Sequence, residues 1–105
     1  MDPSKAPARD AVVIDPKDNV AVLIRPCQKG ELLACALRDG AVETVTARED
    51  IPLFHKIARH DIARGAHVLK YGEYIGVASC DILCGEHVHV HNCVSTDALK
   101  GYETK

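Results

Sequence analysis

Aromatic side chains are scarce in this chain of 105 residues, which contains one Phe, three Tyr and no Trp. Hydrophobic residues nevertheless make up 47% of the sequence, so the core must be built mainly from Val, Ile, Leu and Ala. β-Branched residues favour sheets, and no long 3.6-residue hydrophobic period indicates a helix. We therefore predict an all-β fold, with at most a short helical turn in residues 52–59.

A surplus of basic residues is also absent, since 13 Lys and Arg stand against 15 Asp and Glu and the net charge is −2. Binding to a nucleic-acid backbone normally needs a clustered positive surplus, so we expect no nucleic-acid partner. Apolar runs such as residues 20–24 are far shorter than the roughly 20 residues that span a bilayer, and the first ten residues lack the apolar segment of a signal peptide. We expect no membrane partner, a cytoplasmic location and reduced thiols for the five cysteines.

The expected organisation is one folded domain between two polar ends. Residues 1–10 contain two Pro and alternating charges and are predicted to be a disordered lead, while residues 94–105 are predicted to be a polar tail. Residues 11–93 form the predicted domain, in which Gly and Pro separate short β-branched runs. The predicted strands are residues 12–15, 20–24, 42–46, 67–71, 74–78 and 86–92.

An eight-residue pattern, D-I-x-x-G-x-H-V, occurs at residues 61–68 and again at residues 81–88. The Asp can accept backbone hydrogen bonds at a turn, the Ile can anchor the turn to the core, and the Gly can adopt a positive φ. A fainter third copy is present at residues 27–32. The pattern predicts a repeated turn-then-strand unit, and it concerns the fold rather than the function.

Three histidines occupy alternate positions at His87, His89 and His91. In an extended strand their side chains leave one face about 6.6 Å apart, and two neighbouring imidazoles can then bind one metal through bonds of about 2.0–2.1 Å. The same face could instead hold a carboxylate substrate, pass protons, or titrate on the surface without a ligand. Cys93 would extend this face. The intervening valines would point into the core: Val88 and Val90.

Other polar residues give weaker signals. Cys80 and Cys84 are separated by three residues, but no second pair completes a four-cysteine zinc site, so structural thiols are favoured. Burial between Leu and Tyr could lower the pKa of Lys70 and make it a base or an anion ligand. Spacing alone favours a surface position both for Lys70 and for His55. The remaining thiols are expected in the core: Cys27 and Cys35.

Four motifs, taken in order, resemble the amino-terminal region of the altronate and galactarate dehydratases. They are PKDNVAV at residues 16–22, HKIA with DIxxG at residues 55–65, KYGExIG at residues 70–76 and GEHVHVHN at residues 85–92. The resemblance covers residues 12–92, and the shared order makes it more specific than any single motif. It departs at Phe54, where the family usually carries Gly before the His-Lys pair.

The resemblance implies a SAF-type domain with the β-clip fold, either fused to a large catalytic region or encoded separately. Because the sequence ends soon after the histidines, it implies the separate kind, a small subunit whose partner is a large catalytic lyase subunit. The implied reaction is a metal-assisted dehydration of a sugar acid of the altronate or galactarate type to a 2-keto-3-deoxy acid. The implied metal is Fe²⁺ or Mn²⁺, held by this chain or mainly by the large subunit.

Three alternatives stay open beside this one. The small subunit of (2R)-sulfolactate sulfo-lyase has a similar signature, so sulfolactate is an alternative substrate. SAF domains also serve as non-catalytic carbohydrate-binding or assembly modules. A metal-buffering module is the third alternative, and a homo-oligomer is compatible with all of them.

The resemblance also suggests roles for individual residues. Three are candidates for catalysis: His55, Lys70 and His89. Three are candidates for substrate binding: Lys56, Tyr71 and Asn92. Three are candidate metal ligands, of which the first is the weakest: His87, His89 and His91.

Overall fold

The structure, a computed structural model, describes residues 9–95, which form nine β-strands and no helix. The strands are β1 Ala11–Val13, β2 Val20–Leu23, β3 Leu32–Leu37, β4 Val42–Thr46, β5 Lys56–Ala58, β6 His67–Lys70, β7 Glu73–Ala78, β8 His87–Val88 and β9 Cys93–Ser95. The predicted all-β class is confirmed. Residues 52–59 contain β5 in place of the helical turn that was considered. In this part of the chain no helix exists that could cross a membrane.

The described region extends slightly past the predicted domain limits of 11–93. Asp10 is buried, and its carboxylate accepts the Ala34 N–H at 2.7 Å and pairs with Arg25 at 2.7 Å. At the other end, β9 continues to Ser95. The rest of the predicted lead and tail, residues 1–8 and 96–105, lies outside the described residues.

Two sheets are formed by these short strands. One has six strands in the order β4-β3-β1-β2-β5-β8, and the other has three in the order β6-β7-β9. Neighbouring strands are antiparallel except for the parallel pair β1 and β3. Strands of two to six residues leave much of the backbone to turns, and the turns set the relative positions of the strands.

The central pair β2 and β5 is buried on both faces. Val20 lies opposite Ala58, and Ala21 lies opposite Ile57. Because side chains alternate along a strand, the first pair belongs to one apolar cluster with Val68 and the second pair belongs to the other. The pair therefore separates two small cores. One is formed by residues of the large sheet and its turns, and the other lies between the two sheets. The predicted burial of two thiols is confirmed: Cys27 and Cys35.

Four turns share one hydrogen-bonding pattern, and the repeated sequence pattern marks two of them. In each turn a backbone N–H donates to the carbonyl three residues earlier: Glu31 to Gln28, His55 to Pro52, Ala66 to Ala63 and Glu86 to Leu83. The residue before each donor has a positive φ: 94° at Gly30, 67° at Phe54, 85° at Gly65 and 94° at Gly85. The third copy is thus confirmed, and residues 50–57 form a fourth copy in which Phe replaces Gly.

The turns associate in pairs. Ile62 and Ile82 exchange two backbone hydrogen bonds, and Asp61 and Asp81 each accept a backbone N–H of the opposite turn at 2.8 Å. The first two turns repeat the backbone exchange between Cys27 and Ile51. The repeated sequence pattern therefore encodes mutual bracing of two turns as well as the turns themselves.

The predicted strand at residues 86–92 is wrong beyond Val88. The side chain of Asn92 accepts the His89 N–H at 3.0 Å and donates to the His87 carbonyl at 2.8 Å. These two bonds close a tight turn, and Cys93 then begins β9 in the other sheet. Val90 stands at the turn with 82% of its surface exposed, so its predicted place in the core is also wrong.

Asp18 connects the turn after β1 to the hairpin between β6 and β7. It is 2% exposed, and its carboxylate accepts the backbone N–H groups of Asp15, Tyr71 and Gly72 at 3.2, 2.9 and 2.8 Å. The neighbouring Asn19 makes a second connection, to the β6 backbone at Leu69 and His67. Side-chain-to-backbone bonds thus dock the small sheet onto the large one.

Replacement of Asp18 by Ala is expected to lower the free energy of unfolding by about 2–4 kcal/mol, because three backbone donors lose a charged acceptor. Urea denaturation followed by circular dichroism measures the change. Lys17→Ala is the matched control, since Lys17 is the exposed neighbour in the same turn, and it should stay within about 0.5 kcal/mol of the unaltered chain. Equal stability of the two variants would contradict the docking role of Asp18.

Candidate functional site

The pairing of β5 with β8 brings distant histidines together. Lys56 lies opposite Val88, and Ile57 lies opposite His87. The same antiparallel register, continued one step, sets His55 opposite His89. Residues directly opposite in an antiparallel pair are close enough for side-chain contact, and these two rings stack with their centroids 4.0 Å apart.

Three imidazoles converge at this point: His55, His87 and His89. Their ligand atoms all lie within 4.8 Å of one another. The Nδ1 of His55 and the Nε2 of His87 are 2.8 Å apart, so one of these nitrogens can donate a hydrogen bond to the other. Nitrogens at this separation also suit two bonds of about 2.0–2.1 Å to one metal ion.

A buried nitrogen supports the metal interpretation. His89 Nδ1 is enclosed by protein and has no hydrogen-bond partner among residues 9–95. Buried polar atoms are rarely left unsatisfied, and such an exception indicates an ion, a water or a catalytic role. Imidazole nitrogens are suitable ligands for divalent iron and zinc. The residues present therefore fit a divalent transition metal.

Burial disfavours the charged form of two of these histidines, His87 and His89. Burial, helped by His91 and His55 nearby, lowers the pKa of His87 to about 4, although Glu49 opposes the shift. Burial also lowers the pKa of His89, and the neighbouring His55 and Lys56 add to that effect. Neutral imidazole, with a free lone pair, is the form that binds a metal or accepts a proton.

The composition of the cluster differs from a simple strand of three histidines. His55, considered for proton transfer, supplies the third converging nitrogen, whereas His91 lies at the edge, exposed and with its ring 5.0 Å from that of His87. Cys93 leaves the histidine face because it belongs to β9. Among the described residues, the convergent group contains no cysteine.

Glu49 adjoins the cluster and was not anticipated from the sequence. Its carboxylate accepts the His87 backbone N–H at 3.0 Å. The contact joins residues 38 positions apart, and the run Arg-Glu-Asp around Glu49 resembles any solvated turn. No spacing signal could have identified it.

Two lysines lie near each other on β5 and β6, Lys56 and Lys70. Because Lys56 lies opposite Val88, its side chain leaves β5 on the face away from His55, although its charge still acts on His89. Lys56 is half-buried, and burial followed by the charge of Lys70 lowers its pKa. The Nζ of Lys70 stands 4.8 Å from the centroid of the Tyr71 ring. Within residues 9–95 neither lysine forms an ion pair. Two neighbouring cations without a carboxylate partner are suited to bind an anionic ligand.

Asn92 is placed differently from the other candidate residues. It is 6% exposed, and its side-chain oxygen and nitrogen hold the backbone of His89 and His87. The structure therefore places it beneath the histidine turn, where it positions the cluster. Its assignment to substrate binding stays a prediction.

The fold and the site together define a class: a small all-β module with three convergent histidines, and two neighbouring lysines that form no ion pair within residues 9–95. A comparison with protein families identifies the class more closely. Residues 9–96 match the family model for the altronate/galactarate dehydratase SAF domain. The chain belongs to this family, and the resemblance noted from its motifs is confirmed.

Individual relatives are lyases of two kinds. The chain is 47% identical over 75 residues to altronate dehydratase of Escherichia coli, a match that covers 71% of this chain and 14% of that protein. It is 40% identical over 62 residues to the (2R)-sulfolactate sulfo-lyase subunit alpha of Paracoccus pantotrophus, covering 59% of this chain and 92% of that subunit. The subunit alpha of Chromohalobacter salexigens is 36% identical over 85 residues, with 79% and 90% covered.

Stability of the metal-free chain should fall in acid because of His87. Its folded-state pKa of about 4 lies below the ordinary 6.5, so the unfolded chain binds more protons and the stabilising contribution is lost as pH falls from 6.5 towards 4. After allowance for solvent screening, we expect His87→Gln to remove about 1–2 kcal/mol of this pH dependence.

Urea denaturation at a series of pH values, in the presence of a chelator, measures this difference. His60→Gln is the control, since His60 is exposed and outside the cluster, and it should retain the slope of the unaltered chain. A His87→Gln variant with an unchanged slope would show that burial of this imidazole is not coupled to folding.

Proposed function

We propose that this chain is the small subunit of a metal-assisted hydro-lyase that dehydrates a sugar acid of the altronate or galactarate type to a 2-keto-3-deoxy acid. The observation that carries the proposal is the convergence of three histidines in a chain of this lyase family, one of them with a buried nitrogen that has no partner among residues 9–95. The proposed metal is Fe²⁺ or Mn²⁺.

The division into subunits is supported by coverage. The match spans about one-seventh of the altronate dehydratases, whereas it spans about nine-tenths of the sulfo-lyase alpha subunits. The histidines stand at the end of the short pair β5 and β8, with one flanking residue, Val90, almost fully exposed. A site of this kind needs a second protein surface to exclude water from the reaction.

His55, His87 and His89 would hold the metal, with His91 near enough to contribute. When bound, the ion supplies positive charge that stabilises the enediolate-like charge developing on the substrate carboxylate and its adjacent oxygen. Lys56 and Lys70 would bind the substrate carboxylate, and Tyr71 borders that position through its contact with Lys70.

The elimination requires one base and one acid. The base removes the proton α to the carboxylate, and the electrons of that C–H bond form the C=C bond as the β-hydroxyl leaves with a proton from the acid. The enol then tautomerises to the keto acid. A neutral imidazole is competent as the base only if its lone pair does not bind the metal. We therefore assign the proton transfers to Lys70, to groups of the large subunit and to whichever of His55 and His89 is not a metal ligand.

A second candidate function has its own support. The chain matches nearly the full length of two (2R)-sulfolactate sulfo-lyase alpha subunits. A sulfo-lyase reaction shares the removal of an α-proton beside a carboxylate, but sulfite leaves in place of water. Lys56 and Lys70 suit either substrate because both acids are anions.

The isolated chain is expected to bind Mn²⁺ or Co²⁺. Changes to residues that only support the metal ligands usually lower metal affinity about 10–100-fold, and His89→Ala should lower it by more than that. Isothermal titration measures the affinity, and the Co²⁺ absorption spectrum reports nitrogen coordination. His60→Ala is the control and should bind normally. Normal binding by His89→Ala would remove this cluster from the metal site and leave the ion to the large subunit.

Activity is expected only when the large lyase subunit of the source organism is added. Purified separately and mixed, the two chains should release either a 2-keto-3-deoxy acid from altronate or galactarate, or sulfite from sulfolactate, and the product identifies the substrate class. Turnover by the 105 residues alone would contradict the two-subunit proposal. Full activity of a complex containing both His89→Ala and His91→Ala would indicate the non-catalytic SAF module instead.

A further inference from the structure

One of the four equivalent turns carries an aromatic residue at the position that glycine occupies in the others. Phe54 has φ 67°, and its counterparts Gly30, Gly65 and Gly85 have φ between 85° and 94°. The turn keeps the shared bonds, since Phe54 N–H donates to the Leu23 carbonyl at 2.9 Å. The backbone therefore does not relax to accommodate the side chain.

A left-handed backbone is costly for a bulky L-residue because its Cβ crowds the neighbouring carbonyl. The described chain covers little of Phe54 in return. Its side chain is 69% exposed, and among residues 9–95 its ring stacks on no other ring. Two equivalent positions are similarly open, because a Cβ at Gly30 or Gly65 would have no atom within 4 Å, whereas a Cβ at Gly85 would meet the Thr46 carbonyl oxygen at 2.1 Å.

Tyr71 provides a useful contrast. It is the other non-glycine residue with a positive φ among the described residues, at 57°. Its backbone N–H donates to the buried Asp18 and its ring lies against Lys70, so the surrounding structure holds it in place. Strain that the fold does not compensate is expected mainly at functional positions.

Phe54 adjoins the histidine cluster directly. It precedes His55, whose ring stacks on His89, and His89 is followed by Val90, which is 82% exposed. Leu53 is 43% exposed on the other side of Phe54. We call these three exposed apolar residues, which lie close to His55 and His89 in the sequence, the apolar rim: Leu53, Phe54 and Val90.

We propose that the apolar rim is the docking surface for the large lyase subunit, with the Phe54 ring as the anchor that enters an apolar pocket of that subunit. The proposal rests on the proposed function, which requires a second protein surface at these histidines. A buried aromatic anchor is the usual centre of binding energy in an interface. Docking at the rim would also cover the cluster and exclude water.

The large subunit suits this surface better than a second copy of the chain does. In the relatives that are single long chains, the matched segment is about one-seventh of the protein, so a large additional body accompanies this domain.

Three variants of the full chain test the proposal. Phe54→Gly removes the ring and relieves the backbone strain, whereas Phe54→Ala removes the ring and keeps the strain. Leu32→Ala removes an apolar side chain of similar exposure, 64%, on β3 at the opposite part of the large sheet. The probe is the large lyase subunit, defined as the chain whose addition produces turnover.

Both Phe54 variants are expected to weaken association with that subunit at least about tenfold, because an anchor residue is lost, while Leu32→Ala associates normally. Isothermal titration measures association without relying on turnover. The isolated Phe54→Gly chain should melt about 4 °C or more above the unaltered chain, and Phe54→Ala should not.

Other results would overturn the proposal. Lower melting temperatures for both Phe54 variants would show that the ring packs on its own chain, and a changed oligomeric state of the isolated chain would show that a second copy covers it. A raised KM of the assembled enzyme with unchanged association would place the ring against substrate. If no added chain gives turnover, the proposed function itself fails, whereas normal association of the Phe54 variants refutes the rim alone.

Discussion

The antiparallel register between β5 and β8 positions most of the features described above. Because Lys56 lies opposite Val88, His55 meets His89 and the apolar side of β8 closes the core between the two sheets. A shift of one residue would turn Val88 outward and separate the imidazoles, since the side-chain period of a strand is two. The register is held from both ends. Glu49 accepts the backbone N–H of His87 where β8 begins, and Asn92 closes the turn after it.

Local pattern was sufficient to predict the all-β class and several strands. The runs that became β2, β4, β6 and β7 are rich in β-branched or aromatic residues and are bounded by turn residues. Three strands escaped prediction for identifiable reasons. β3 has the sequence LLACAL, which lacks β-branched residues and alternation, while β5 and β9 have three residues each and are stabilised by their partners rather than by propensity.

The candidate site was only partly predictable. Spacing pointed to His87 and His89, because residues two apart share a face of a strand. It could not supply His55 or Glu49, because their proximity depends on a pairing across more than 30 residues. The turn repeat met a related limit. Gly marked three of the four turns in the sequence, and Phe54 concealed the fourth until its φ and its hydrogen bonds showed the equivalence.

Several features that oppose folding are gathered in one region of the molecule. The histidine cluster is partly desolvated, Lys56 is half-buried beside another cation, and Phe54 carries backbone strain. Stabilising bonds follow in the same segment, where the buried Arg59 donates to the Asp18 carbonyl at 2.7 Å and pairs with Glu43. A small domain has little stability in excess, so such a concentration of unfavourable terms needs a function that uses them. Binding of an ion, an anion and a partner surface at this region would offset these energetic costs, because each ligand binds the folded chain in preference to the unfolded one.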